Sequence, residues 1–130
     1  MNIFLIVLGS FGLIGTLAHI TLGERFIIRP LHTDSLPTSF LGDGDITKRY
    51  LRWFWHVGSF DIGGSSLALI VIGLLYGAPG TQLLARFIAV HFIAIFGAFL
   101  GVAIPRPELF VRVPQGVLLG IGGLLVWLAA

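Results

Sequence analysis

Cysteine is absent from these 130 residues. That excludes disulfides, thiol nucleophiles and cysteine-ligated zinc or iron–sulfur centres. Charge is nearly as scarce. Only 11% of the chain is Asp, Glu, Lys or Arg, against roughly 25% in an ordinary soluble domain. The runs Met1–Gly23, Ile62–Ala85, Phe87–Pro105 and Val113–Ala130 hold no Asp, Glu, Lys or Arg at all. The net charge of +2 comes without an extended basic surface, so no nucleic-acid partner is expected. No nucleophile elbow, phosphate loop or hydrolase signature is present, and enzymatic activity is not expected.

Apolar residues and glycine fill the space that charge leaves. Hydrophobic residues make up 56% of the chain, and 18 residues are glycine. Each uncharged run meets or approaches the roughly 18–20 residues that a helix needs to cross a bilayer. The expected fold is all-α: an integral membrane protein, built as one antiparallel four-transmembrane-helix bundle over residues 1–130. Its spans are about 2–22, 55–76, 81–104 and 113–130. The first run lacks a basic n-region and is too long for a signal-peptide h-region, so it reads as a retained helix. Gly77, Pro79 and Gly80 mark a tight turn between helices 2 and 3. Pro114 suits the first turn of helix 4. The one long connection, 23–54, ends in the basic, aromatic stretch KRYLRWFW.

Basic residues orient a membrane protein, because short cytoplasmic loops carry the excess of Lys and Arg. Arg25, Arg29, Lys48, Arg49 and Arg52 lie in the first connection, and Arg106 and Arg112 in the third; only Arg86 lies on the other side. Both termini are therefore expected outside, with loops 23–54 and 105–112 cytoplasmic. Lys48, Arg49 and Arg52 beside Trp53 and Trp55 would meet membrane lipid headgroups. Tyr76 and Trp127 would mark the opposite interface.

Helices in lipid associate through close packing of small residues. At 100° per residue, helix 1 gathers Gly12, Gly15, Thr16, His19 and Gly23 on one face. Helix 2 gathers Gly58, Asp61, Gly64, Ser65 and Ala68. Helix 3 offers Ala94, Gly97, Ala98 and Gly101, and helix 4 offers Gly116, Gly120 and Gly123. Among these, Gly15, Gly97, Gly101, Gly116 and Gly120 are the expected helix-packing positions.

Ionisable groups inside a span need partners. His19 and Asp61 each lie five residues deeper than Glu24 and His56, the first polar groups of their spans. They are predicted to face one another as an intramembrane polar pair. Glu24 and His56 then point elsewhere, and His91 lies near the middle of helix 3, level with Ser65 and Ser66. Two sharper uses compete with simple packing. Paired histidines among His19, His56 and His91 could hold haem b. Alternatively, His19, Glu24, His56 and Asp61 supply metal-ligand types, although without the Glu-x-x-His spacing of di-iron bundles. LGDGD, Leu41–Asp45, reads as a turn rather than a calcium loop. The expected role is an accessory or scaffolding subunit that packs in the membrane against other subunits or itself. The alternatives are a haem- or metal-binding redox subunit and a small proton-coupled transporter.

Overall fold

The computed structural model describes residues 1–36, 38 and 42–130. Pro37 and Leu41, which the sequence places in the long connection and its turn, lie outside the described residues. Every regular element among those described is helical. Helix α1 (Ile3–Gly23) continues into a π-helical turn, Glu24–Ile28. A 3-10 turn at Thr33–Ser35 precedes α2 (Gly44–Leu74), then come α3 (Thr81–Ala103), α4 (Leu109–Arg112) and α5 (Gln115–Ala129). Three stretches, Ile3–Ile28, α2 and α3, are long and apolar enough to cross a membrane by length and composition; α5 is apolar but shorter.

Two boundaries differ from the sequence expectation, each for a local reason. α2 starts at Gly44, about three turns before the expected residue 55. The Asp43 carboxylate accepts the N–H groups of Asp45 and Ile46, both at 3.1 Å. That is an N-cap. Arg49 then bridges back one turn to Asp45 at 2.9 Å. The KRYLRWFW stretch is therefore helical rather than part of a loop. At the other end, the fourth apolar run yields a helix of only 15 residues. Val113 has φ −130° and ψ 61°, because the residue before a proline is pushed out of the α region.

The chain divides into two compact units: Met1–Gly9 with Ala68–Ala130, and Ser10–Leu67. In the first unit, Leu5, Leu69, Ile72, Ala85, Ile88, Ala89, Phe92 and Val126 form the core. α5 runs antiparallel along α3 on a ladder of glycines. Gly116 faces the Phe99 ring and Gly120 the Phe96 ring, while a Cβ at Gly123 would stand 2.9 Å from the Ala89 carbonyl oxygen. The ladder ends where the Arg86 guanidinium lies 5.7 Å from the centre of the Trp127 ring. Gly77 and Gly80 turn the chain between α2 and α3 with φ of 103° and 84°, a region closed to most side chains. Hydrogen bonds gather three chain segments beside that turn. The Asn2 N–H donates to Gly73 O at 2.7 Å, Asn2 Nδ2 to Ala129 O at 3.0 Å, and Tyr76 Oη to Ala130 O at 3.3 Å.

In the second unit, the Ser10–Gly23 part of α1 lies antiparallel to the N-terminal part of α2. Gly12 packs on Ser66, Gly63 on Thr16 and Gly23 on Trp55. Lys48 ties the connection to α2 by donating to the carbonyls of Arg29 at 3.2 Å and Leu31 at 2.6 Å.

Candidate functional site

The polar chemistry of the second unit is concentrated where α1 meets α2. Ser59 is fully buried there. Its hydroxyl donates to the Trp55 carbonyl at 2.7 Å and lies 2.9 Å from His19 Nδ1. A hydroxyl has one proton, so with that proton on Trp55 O the oxygen must accept from His19. Hydrogen bonding thus assigns the Nδ1–H tautomer to neutral His19 and leaves Nε2 as the acceptor. The His19 ring stacks on the Trp55 indole at 4.2 Å, with 1° between planes. Trp55 Nε1 donates back to the His19 carbonyl at 3.2 Å. Three hydrogen bonds and one stack therefore close a ring between two helices. Gly23 makes room for it, since a Cβ there would enter the Trp55 ring.

This serine–histidine contact is not a nucleophile–base pair. A base must accept the nucleophile's proton, whereas here the histidine is the donor and the serine is sealed from any substrate. Deeper along the seam, Thr16 donates to Gly12 O at 2.9 Å and Ser66 to Ile62 O at 2.8 Å. Hydroxyls bonded to their own helix cost little to bury, so the seam stays narrow without orphaned polar atoms.

At the outer end, Glu24 begins the π turn and receives Arg52 through two contacts: Nη2 to Oε1 at 2.9 Å and Nε to Oε2 at 3.1 Å. The fork geometry fixes direction as well as charge. His56 Nε2 lies 3.6 Å from the same Glu24 Oε2. Glu24 and His56, expected to point elsewhere, thus join one cluster. Among the described residues, no three His, Cys, Asp or Glu side chains converge as a metal site would need.

Asp61 does not lie at the Ser59 position. It is two residues further on, about 200° round the helix, and it is exposed. His91 is half-buried on α3 in the other unit, its ring 6.1 Å from that of Phe92. Of the expected headgroup residues, Lys48, Arg49 and Arg52 all hold contacts within the chain, as given above. Trp53 joins Tyr50 and Phe54 in an exposed cluster of rings 5.0–5.8 Å apart, and Trp55 turns inward. Gly116 and Gly120 are packed, whereas Gly15, Gly97 and Gly101 have nothing within 4 Å of where a Cβ would stand.

No family model, curated protein or solved structure matches this chain. Its role has to be argued from its own geometry. Two contributors escaped the sequence reading, Ser59 and the inward-facing Trp55. A signal existed for both: Trp55, Ser59, Gly63 and Ser66 recur at steps of four, four and three, the spacing of one helical stripe.

Proposed function

We propose that the chain is a multi-pass integral membrane protein, an antiparallel four-helix bundle that serves as an accessory or scaffolding subunit. It packs in the membrane against other subunits or copies of itself. The observation that carries this reading is one face of α3. Ala94, Gly97, Ala98 and Gly101 recur there at helical spacing, all four are exposed, and both glycines open onto empty space. In lipid, such a face is where a neighbouring helix approaches most closely.

The membrane setting is supported by what lies on the surface. Phe60, Leu83, Phe87 and Leu128 are all more than 70% exposed, an apolar exterior that suits lipid rather than water. A 15-residue α5 is about 22 Å long, short of the roughly 30 Å hydrocarbon layer. Its run alongside α3 from Phe99 to Arg86 supports a fourth crossing, with tilt or local thinning making up the difference. The basic loops then face the cytoplasm, both termini lie outside, and the Tyr50–Trp53–Phe54 cluster meets lipid headgroups. The hydroxyls of Thr16, Ser59 and Ser66 are committed to backbone carbonyls, so the seam favours packing over a proton path.

The test is association in native nanodiscs. The wild-type chain should run as an oligomer or with a stoichiometric partner chain. Gly97→Ile and Gly101→Ile should abolish that association and leave thermal unfolding of the chain itself unchanged. A wild-type protein that runs only as a monomer, with nothing bound, refutes the subunit role.

A further inference from the structure

We propose that Arg86, held over Trp127 where α3 meets α5, binds the phosphate of an anionic phospholipid whose headgroup carries no amine. This rests on the membrane reading above and names a lipid that the subunit holds.

Arg86 is exposed near the start of α3, six residues past Gly80 and roughly 9 Å along the helix. Side chains on a helix lean toward its N-terminus, so the guanidinium is carried back toward the turn and the headgroup level. There it lies 5.7 Å from the centre of the Trp127 ring. Among the described residues that ring is the guanidinium's one partner, and no hydrogen bond or ion pair reaches it. An indole face attracts the positive charge but offers no lone pair to the five N–H donors. The charge is thus positioned while its donors stay open. In that state a guanidinium can take a phosphate through two parallel hydrogen bonds.

The chain supplies no acid to answer that charge. In the unit that contains Arg86, Met1–Gly9 with Ala68–Ala130, the sole acidic side chain is Glu108, beyond the far end of α3. The same scarcity decides the headgroup. An amine on the lipid would find no carboxylate here and would compete with Arg86 for the lipid's own phosphate. A phosphodiester without an amine, as in phosphatidylglycerol, brings an uncompensated negative charge to an uncompensated positive one. Gln82 stands one turn nearer the surface on the same face of α3. It is exposed, and its amide keeps a second N–H beyond the one it gives Tyr76 Oη at 3.5 Å.

The surroundings suit acyl chains rather than a partner helix. Leu83 and Phe87 flank Arg86 at 73% and 71% exposure, and Val90 and Leu124 lie exposed one turn deeper on α3 and α5. Large side chains hold a neighbouring backbone off, whereas helices in lipid meet through small residues. Those of α3 come later, from Ala94 to Gly101. A dissolved phosphate would gain the charge contact alone; a phospholipid adds its chains along Val90 and Leu124.

The experiment places a photo-crosslinking side chain beside the site. Full-length protein carrying Leu124→p-benzoylphenylalanine is reconstituted in phosphatidylcholine vesicles with one part in ten phosphatidylglycerol. After irradiation, the lipid adducts are identified by mass. Phosphatidylglycerol should be enriched about fivefold over its share of the bilayer, the ratio that about 1 kcal/mol per basic residue at an anionic surface implies. Arg86→Gln should return the adducts to the bulk ratio, and Trp127→Leu, which releases the guanidinium, should at least halve the enrichment. Both positions are exposed, and circular dichroism verifies that each variant is folded. The same crosslinker at Phe11, exposed on α1, should report the bulk ratio. Enrichment that survives either substitution, or that is equal at Phe11, overturns the proposal. So does an Arg86-dependent adduct between two protein chains, which would assign the guanidinium to a protein carboxylate. Glycerol phosphate in the buffer should leave the enrichment as it is in sodium chloride of equal ionic strength; its removal would give the site to a soluble phosphate ester and overturn the lipid assignment. Alkaline extraction separates the two levels of failure. A chain that stays in the vesicles yet shows no enrichment refutes this lipid site alone. A chain that washes off refutes the membrane reading and this proposal with it.

Discussion

Gly23→Ala is the sharpest probe of the α1–α2 seam. A single methyl at Gly23 would enter the Trp55 indole, so the ring must leave. It then loses its stack on His19 and its hydrogen bond to the His19 carbonyl. A stacked aromatic pair contributes about 0.5–1.5 kcal/mol, and an interhelical hydrogen bond in a membrane protein averages about 0.6 kcal/mol. Alanine returns up to about 1 kcal/mol through its better helix propensity. The net expectation is a destabilisation of about 1 kcal/mol. Gly15→Ala supplies the control, because open space surrounds Gly15 and only the propensity gain applies. The two variants should therefore differ by about 1–2 kcal/mol and fall on opposite sides of wild type. Reversible unfolding in mixed detergent, followed by circular dichroism, measures both. Trp55→Ala should erase most of the difference, since the methyl then meets no ring. If Gly23→Ala and Gly15→Ala shift stability alike, or if their difference persists without Trp55, the close approach of α1 and α2 at this point is wrong.

Ser59→Ala removes the acceptor of the His19 N–H in a fully buried position, and should cost on the order of 1 kcal/mol. His19→Ala should cost clearly less in that background than in wild type, and additive effects in the same unfolding assay would count against the contact. Leucine at Gly120 collides with Phe96 and should unfold the α3–α5 pairing, whereas leucine at Gly122, which opens onto empty space, should leave folding intact; thermal scans distinguish the two. For orientation, single cysteines at Ser35 and Ala78 should react with an impermeant reagent from opposite sides of sealed vesicles, and labelling from the same side refutes the proposed topology.

The uncharged runs made three long apolar helices legible, and Gly77 and Gly80 made the turn between α2 and α3 legible, because each signal is local. The start of α2 was not. Charged residues suggested a loop, although Asp43 caps a helix there and Asp45 supports it one turn later through Arg49. The seam was legible on α1, where Gly12, Thr16, His19 and Gly23 fall on one face. On α2, two small-residue stripes lie side by side: Gly58, Asp61 and Ser65, and next to them Ser59, Gly63 and Ser66. Adjacent residues are only 100° apart, so pattern alone cannot choose between them. Aligning Glu24 with His56 as equal depths selected the first stripe. In the structure the second stripe also meets α1, with Ser59 against His19 at 2.9 Å and the Trp55 ring fitted over Gly23. That fit is steric and long-range, and no window of sequence contains both partners.

The π turn at Glu24–Ile28 carries a consequence for how this chain can vary in length. Its signature is the Arg29 N–H reaching back five residues to Glu24 O at 2.9 Å. Such a turn holds one residue more than an α-helical turn. Buried positions on α1 fall at Leu5, Gly9, Thr16 and Gly23, in steps of four or seven that keep one helical face, and the next one, Ile28, comes five later. The extra residue is thus absorbed exactly once, outside the seam, before the chain leaves the helix. Removing one residue from this turn would restore plain α-helix and keep Gly23, His19 and Thr16 in phase. Removing one between Gly12 and Gly23 would instead rotate part of the seam by 100° and empty it. Among chains descended from a common ancestor with this one, single-residue insertions and deletions should therefore accumulate at 24–28 and be purged from 12–23.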